Sequence, residues 1–174
     1  MKLLILDIDG VLTDGRKYYG LDGMPFAKTY CDKDFTAIKM LRAAGVKVCF
    51  LSGDNKVNES MAKNRNIDFY YARGKDKADF LPELSRKYGA EVNEMGYVGD
   101  DLFDLSIMEK VGYSFCPSDA SSFLIDLCSA DDNVIDRPGG CNVIAALVDV
   151  LISRNVIDTP TMEAIEELDK NEKF

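Results

Sequence analysis

The sequence predicts a three-layer α/β/α domain built on a doubly wound parallel sheet. Two observations carry that expectation: short apolar runs alternate with segments of helical period, and several of the runs end in small or acidic residues. A third bounds the size, since 174 residues, 47% of them apolar, suffice for one hydrophobic core. Residues 1–154 read as a single domain with a hairpin flap at about 16–30, and residues 155–174 as an acidic C-terminal tail.

Residues 3–8 (LLILDI) form an apolar run that closes on an acidic residue with Asp9 and Gly10 behind it, as expected of a buried strand delivering polar groups at its carboxyl end. The segment 16–30 (RKYYGLDGMPFAKTY) has β-prone stretches on either side of a Leu-Asp-Gly turn and reads as a hairpin. From Asp34 onward Phe35, Ile38, Leu41 and Ala44 follow helical spacing, and Gly45 stands where a C-terminal cap belongs. VKVCFLSG (46–53) is a second buried strand. A short helix over 55–66, a third strand at 67–72 (IDFYYA) and a helix over 77–89 follow, with Pro82 in the first turns of the latter. MGYVGDD (95–101) is the fourth strand, again ending in carboxylates, and 102–112 the helix after it. YSFCP and ADDNVID read as short final strands, and a Gly-Gly turn at 139–140 leads into the helix NVIAALVDVLISRN. The stretch 156–174 has a partial helical pattern at Met162, Ile165 and Leu168 and reads as a loosely docked tail. Strands alternating with helices imply right-handed crossovers, and the working edge of such a sheet lies at the strands' carboxyl ends.

Composition excludes much chemistry. The chain has no histidine, so Ser-His and Cys-His pairs, His-ligated zinc or iron and imidazole bases are all ruled out. Carboxylates, lysine, hydroxyls and a metal must do the hard work. A net charge of −9 argues against nucleic acid as a partner, because phosphate contacts need clustered Lys and Arg. The five cysteines (Cys31, Cys49, Cys116, Cys128, Cys141) form no CxxC pair and fit reduced thiols. No apolar stretch approaches the roughly 20 residues of a membrane span, and the first strand begins without a basic leader, so we expect a cytoplasmic protein with no membrane partner.

Asp7 and Asp9 lie two apart and share one face if both are extended. Two carboxylates held together repel unless a cation lies between them, although acidic residues also simply end strands and begin turns. Gly99-Asp100-Asp101, followed by Asp104, occupies the equivalent place after the fourth strand. Oxygen ligands from two strand ends suit Mg²⁺, while Asp101 and Asp104 equally suit helix capping. Ser52-Gly53 ends the second strand before a helix, where a hydroxyl and a backbone N–H can hold a phosphate oxygen. Lys77, at the start of a helix, can reach a phosphate as a point charge or stand solvated at the surface.

The run Asp7-Ile8-Asp9-Gly10-Val11-Leu12-Thr13-Asp14-Gly15, then Ser52-Gly53, then Lys77, then Gly99-Asp100-Asp101-Leu102-Phe103-Asp104 resembles the four motifs of the haloacid dehalogenase superfamily of phosphatases. With a hairpin directly after the first motif and no large cap insertion, roughly residues 2–152 are similar to its small capless branch, which acts on 3-deoxy-octulosonate 8-phosphate and nonulosonate 9-phosphates. The resemblance implies Asp7 as the nucleophile that becomes an aspartyl-phosphate and Asp9 as general acid, then base. It implies Mg²⁺ held by the Asp7 carboxylate, the Asp9 backbone carbonyl and the Asp100 side chain, with Ser52, Gly53 and Lys77 on the phosphoryl oxygens. It further implies a small-molecule phosphoester substrate and a homotetramer with the hairpins at its centre. Tyr18, Tyr19, Met24 and Phe26 would suit that burial, or could pack on their own domain.

Substrate choice in that branch depends on positions where this chain differs. Asp54 stands where octulosonate enzymes carry Arg and nonulosonate enzymes an acidic residue, and so leans toward the latter. Residues 139–146, GGCNVIAA, replace a GGxGxxRE pattern and lack its Arg-Glu. Lys33-Asp34 matches a basic-acidic pair that lines the site in relatives, and Arg73 or Arg137 are the cations that could replace the missing arginine. A phosphotransferase or a catalytically silent assembly domain would share the same frame. Hydrolysis is favoured because an uncapped site is open to water and no acidic motif residue is missing. A receiver domain would close its third strand with a carboxylate, and FYYARG has none.

Overall fold

The computed structural model describes residues 1–54 and 56–170. The chain forms β1 (Leu3–Leu6), a hairpin of β2 (Tyr18–Tyr19) and β3 (Pro25–Ala27), α1 (Asp32–Ala43), β4 (Lys47–Ser52), α2 (Lys56–Asn64), β5 (Asp68–Tyr71) and α3 (Leu81–Tyr88). It continues through β6 (Met95–Val98), α4 (Leu105–Met108), β7 (Tyr113–Pro117), α5 (Ser122–Ser129), β8 (Val134–Ile135), α6 (Val143–Ser153) and α7 (Met162–Asp169). Tight 3-10 turns at Lys77–Phe80, Val92–Glu94 and Leu102–Asp104 precede α3, β6 and α4.

Six strands pair in parallel in the order β5-β4-β1-β6-β7-β8, and β2-β3 stand apart as an antiparallel pair. The chain leaves β1 toward β4 and β5, then returns to lay β6 on the other side of β1. That reversal opens a crevice beyond the carboxyl ends of β1 and β6, the usual place for a ligand in an open α/β sheet. The acidic residues that follow both strands therefore face one another.

Alternation along β1 builds the two cores. Leu4 and Leu6 join Phe35, Ile38, Leu41, Ile144 and Leu147 beneath α1 and α6. Leu3 and Ile5 join Leu51, Leu84, Tyr97, Ile107 and Leu124 beneath α3, α4 and α5. At roughly 1.5–3 kcal/mol for each large apolar side chain removed from water, these two layers are the main source of stability. Asp34 adds a specific joint. Its Oδ1 accepts the backbone N–H groups of Ile144 (2.8 Å) and Ala145 (3.0 Å), so a carboxylate on α1 satisfies the free amino end of α6.

Two expectations change. The helix expected over 102–112 is a 3-10 turn followed by only the single turn of α4. Asp104 points inward instead of continuing a helix face, and Gly112 bends the chain where a Cβ would stand 2.0 Å from Asn93 O. A helix not anticipated, α5, buries Leu124 and Cys128, one turn apart, and packs the half-buried Ile125 and Leu127 against the same core. The tail beyond 155 carries α7 over the expected helical pattern, with none of the helix's residues buried: Thr161 Oγ1 accepts the Ala164 N–H, and Asp169 pairs with Lys39 on α1. The expected tail continues over 171–174, outside the described residues. No helix among the described residues is long and apolar enough to cross a membrane.

The hairpin closes as expected, with Gly20 and Met24 paired across the turn and Asp22 Oδ1 accepting the Met24 N–H. Its apolar side chains do not pack on their own domain. Tyr18, Tyr19, Leu21, Met24 and Phe26 all stand exposed.

Candidate active site

The loop after β1 is shaped to hold its carboxylates still. Ile8 O accepts N–H bonds from Val11, Leu12 and Thr13, and Thr13 Oγ1 accepts those of Gly10 and Gly15. Asp7 N–H donates to Val98 O at 3.0 Å, which fastens the loop to the end of β6. Gly10 has φ +85°, and a Cβ there would stand 1.9 Å from Asp100 Oδ2. Glycine is needed because the second acidic segment lies directly against it. Gly139 and Gly140 serve the same loop from outside: a Cβ on Gly139 would meet Gly10 O at 2.1 Å, and Gly140 N–H donates to Val11 O.

Asp104 organises the far side. Its Oδ2 accepts the N–H groups of Asp100 (3.1 Å) and Asp101 (3.2 Å), while Oδ1 accepts Lys77 Nζ (2.6 Å) and the Tyr97 hydroxyl (2.5 Å). Lys77 Nζ also stands 3.2 Å from Asp7 Oδ2. Burial opposes the charge on Lys77, but Asp7 and Asp104 outweigh it and raise the ammonium's pKa. A permanent cation is thereby fixed beside Asp7.

Carboxyl oxygens of Asp7, Asp100 and Asp104 lie within 4.8 Å of one another. Asp7 Oδ1 and Asp100 Oδ1 are buried with no hydrogen-bond partner among the described residues. Burial, only partly offset by Lys77, raises the Asp7 carboxyl to about 7. Burial and the neighbouring Asp7 and Asp104 charges raise Asp100 to about 8. Two unpaired, closely spaced carboxylate oxygens fit a hard divalent cation, which would supply the positive charge they lack.

Asp9 lies on the other flank. Lys28 Nζ donates to Asp9 Oδ2 (2.9 Å), Asp54 Oδ2 (2.9 Å) and Asn58 Oδ1 (2.8 Å), and Asn58 Nδ2 donates to Asp9 Oδ2 and Ser52 Oγ. Asp54 also pairs with Lys17 at 3.0 Å. Burial opposes its charge, yet hydrogen bonds from Lys28 and Lys17 prevail and lower its pKa.

A cleft of about 630 Å³ brings together Asp7, Asp9, Ser52, Gly53, Asp54, Lys77 and Asp100. Of the residues anticipated from sequence Lys33, Asp34 and Arg137 fall outside it. Lys33 is exposed in the first turn of α1, where helix geometry turns it outward, and its neighbour Asp34 is consumed in capping α6. Asp54 lines the cleft with its charge already met by two lysines. Arg73 lies on the rim and Arg137 does not. Lys28, Asn58 and Tyr97 were missed. Asp104 carried a signal in the fourth motif but was read as an alternative cap, whereas nothing local marks a hairpin lysine or a helical asparagine as part of a site. A second cleft of about 490 Å³, near Lys47 and Tyr88, opens at the amino ends of β4 and β5, away from these groups.

Fold and site together define a phosphohydrolase of the haloacid dehalogenase superfamily. The chain is 32% identical over 153 residues, 87% of its length and 79% of the relative's, to 3-deoxy-D-manno-octulosonate 8-phosphate phosphatase KdsC of Escherichia coli K12. It superimposes with a TM-score of 0.79 on the cobalt-bound deoxy-D-mannose-octulosonate 8-phosphate phosphatase of Haemophilus influenzae, at 30% identity over 88% of each chain. A Legionella pneumophila structure described under HAD superfamily subfamily III A matches at TM-score 0.83 and 27% identity, covering 99% of this chain and 91% of that one. No protein-family profile matches the chain. The chain belongs to the KdsC family of phosphatases, hydrolases of phosphoric monoesters.

Proposed function

We propose that the chain is a Mg²⁺-dependent phosphomonoesterase acting on a small phosphorylated sugar acid through an aspartyl-phosphate on Asp7. The observation that carries this reading is the meeting of Asp7, Asp100 and Lys77 at the switch point of the sheet, with two carboxylate oxygens unpaired. Asp7 and Asp100, with the Asp9 backbone carbonyl, would hold the cation, whose charge would ease attack by one anion on another.

Ser52, the backbone at Gly53 and Lys77 orient the phosphoryl oxygens. An Asp7 oxygen attacks phosphorus as the ester P–O bond breaks, and Asp9 gives its proton to the departing alkoxide. Water then attacks the aspartyl-phosphate, Asp9 takes up its proton, and phosphate leaves with Asp7 restored. Lys77 stays charged throughout and neutralises the transferred group.

The relatives' names support a 3-deoxy-octulosonate 8-phosphate as the first candidate substrate, and nonulosonate 9-phosphates stand beside it. A second anionic group on the substrate is supported by Arg73, which is exposed on the rim and has no ion pair among the described residues. Such a cation can replace the arginine missing from 139–146. We take the exposed hairpin face as the contact of a homotetramer and the cytoplasm as the place of work. Phosphate release from a panel of sugar phosphates with Mg²⁺, for wild type and Asp7→Asn, tests the reading. Turnover of acidic sugar phosphates by wild type alone is expected, and a wild type inert toward every phosphoester would refute it.

A further inference from the structure

Lys28 is the most deeply buried cation near the cleft, and the mechanism above leaves it unused. It follows β3, at the base of the hairpin, and its side chain is 0% exposed. Burying an ammonium is costly unless every donor is met, and here all are directed at Asp9, Asp54 and Asn58. Lys28 lies against both oxygens of Asp9. Oδ2 accepts hydrogen bonds from Lys28 and from Asn58 Nδ2. Oδ1 is buried and stands 2.7 Å from Lys28 Nζ. The Asn58 amide that holds Oδ2 also donates to Ser52 Oγ, so the orientation of Asp9 is referenced to the place where phosphate binds.

We propose that Lys28 is a positioning residue: lying against both carboxylate oxygens of Asp9, it fixes the side chain that exchanges a proton with the leaving group and then with water. This role rests on the phosphatase reading and extends it, because it makes the hairpin part of the proton-transfer machinery. Asp54 and Asn58 complete the clamp from the other side, which explains why Asp54 is spent on lysines and not left free for a substrate.

Protonation matters for an alkoxide leaving group and hardly at all for p-nitrophenolate. Lys28→Met should therefore lower kcat about a hundredfold on the best alkyl phosphate of the release screen, while p-nitrophenyl phosphate changes by less than about threefold and KM moves little on either. In an Asp9→Asn background the same substitution should cost nothing further on the alkyl ester. Lys28→Gln, which keeps a donor at the same depth, provides the same ratio if the methionine variant does not fold, and Lys28→Arg should recover part of the alkyl rate. Equal losses on both esters, losses that multiply with Asp9→Asn, or an unchanged alkyl rate would overturn the role. A wild type inert toward both esters would instead bring down the phosphatase reading, and this role with it.

Discussion

Lys77 on the loop after β5 and Asp104 on the loop after β6 meet at 2.6 Å, and through Asp7 they tie together three strand ends of the sheet. Asp104 is fully buried and bonded to Lys77 and to the N–H groups of Asp100 and Asp101, so its effect should run through them. Asp104→Asn is expected to lower kcat about a hundredfold. Asp104→Ala, which also orphans those amides, should further cost about 3 kcal/mol in urea unfolding. Phosphate release and denaturation curves for the two variants check both figures.

The cation site makes stability depend on pH. Asp7 and Asp100, raised to about 7 and about 8, titrate above the roughly 3.9 of an unfolded aspartate. Between about pH 4 and 8 the cation-free folded chain holds more protons than the unfolded one, so its stability falls as pH rises through that window. Mg²⁺ removes the penalty by binding the ionised pair. Thermal melts should show the Mg²⁺-induced rise in Tm growing from about pH 6 to about pH 8, and Asp100→Asn should flatten that growth.

Asp34 belongs to the scaffold. Asp34→Ala leaves the amino end of α6 uncapped and should cost about 1–2 kcal/mol, a fall of roughly 2–8 °C in Tm, with kcat/KM close to wild type. Parallel melts and phosphate-release assays separate the two effects.

The hairpin carries Tyr19 at 61% and Phe26 at 66% exposure, more apolar surface than a solitary two-stranded ribbon needs. Tyr19→Lys with Phe26→Lys should shift the sedimentation coefficient from that of an oligomer to that of a single chain.

What was legible in the sequence follows from how local each signal is. β1 could be read because four apolar residues precede the carboxylates, and its parallel partners because each run ends in a polar group. α1 and α6 carry several turns of periodic apolar residues, whereas α5 has 8 residues, too few for their apolar spacing to establish a helical period. Asp7, Asp9 and Asp100 could be paired because both clusters follow strands. Lys28 could not, since its link to Asp9 spans 19 residues and its link to Asn58 spans 30, and a lysine in a β-prone hairpin resembles any solvated one. Lys33 was misplaced for the converse reason: a charged pair before a helix looks the same whether it lines a cleft or caps a neighbouring helix.

Asp7 is the residue expected to take the phosphoryl group. Acid-quenched turnover of the best sugar phosphate, followed by peptide mass analysis, measures it directly. One phosphoryl group on the peptide containing Asp7, lost in Asp7→Asn, is the expected result. Turnover by the wild type with no covalent phosphate, or with phosphate on another residue, would contradict it.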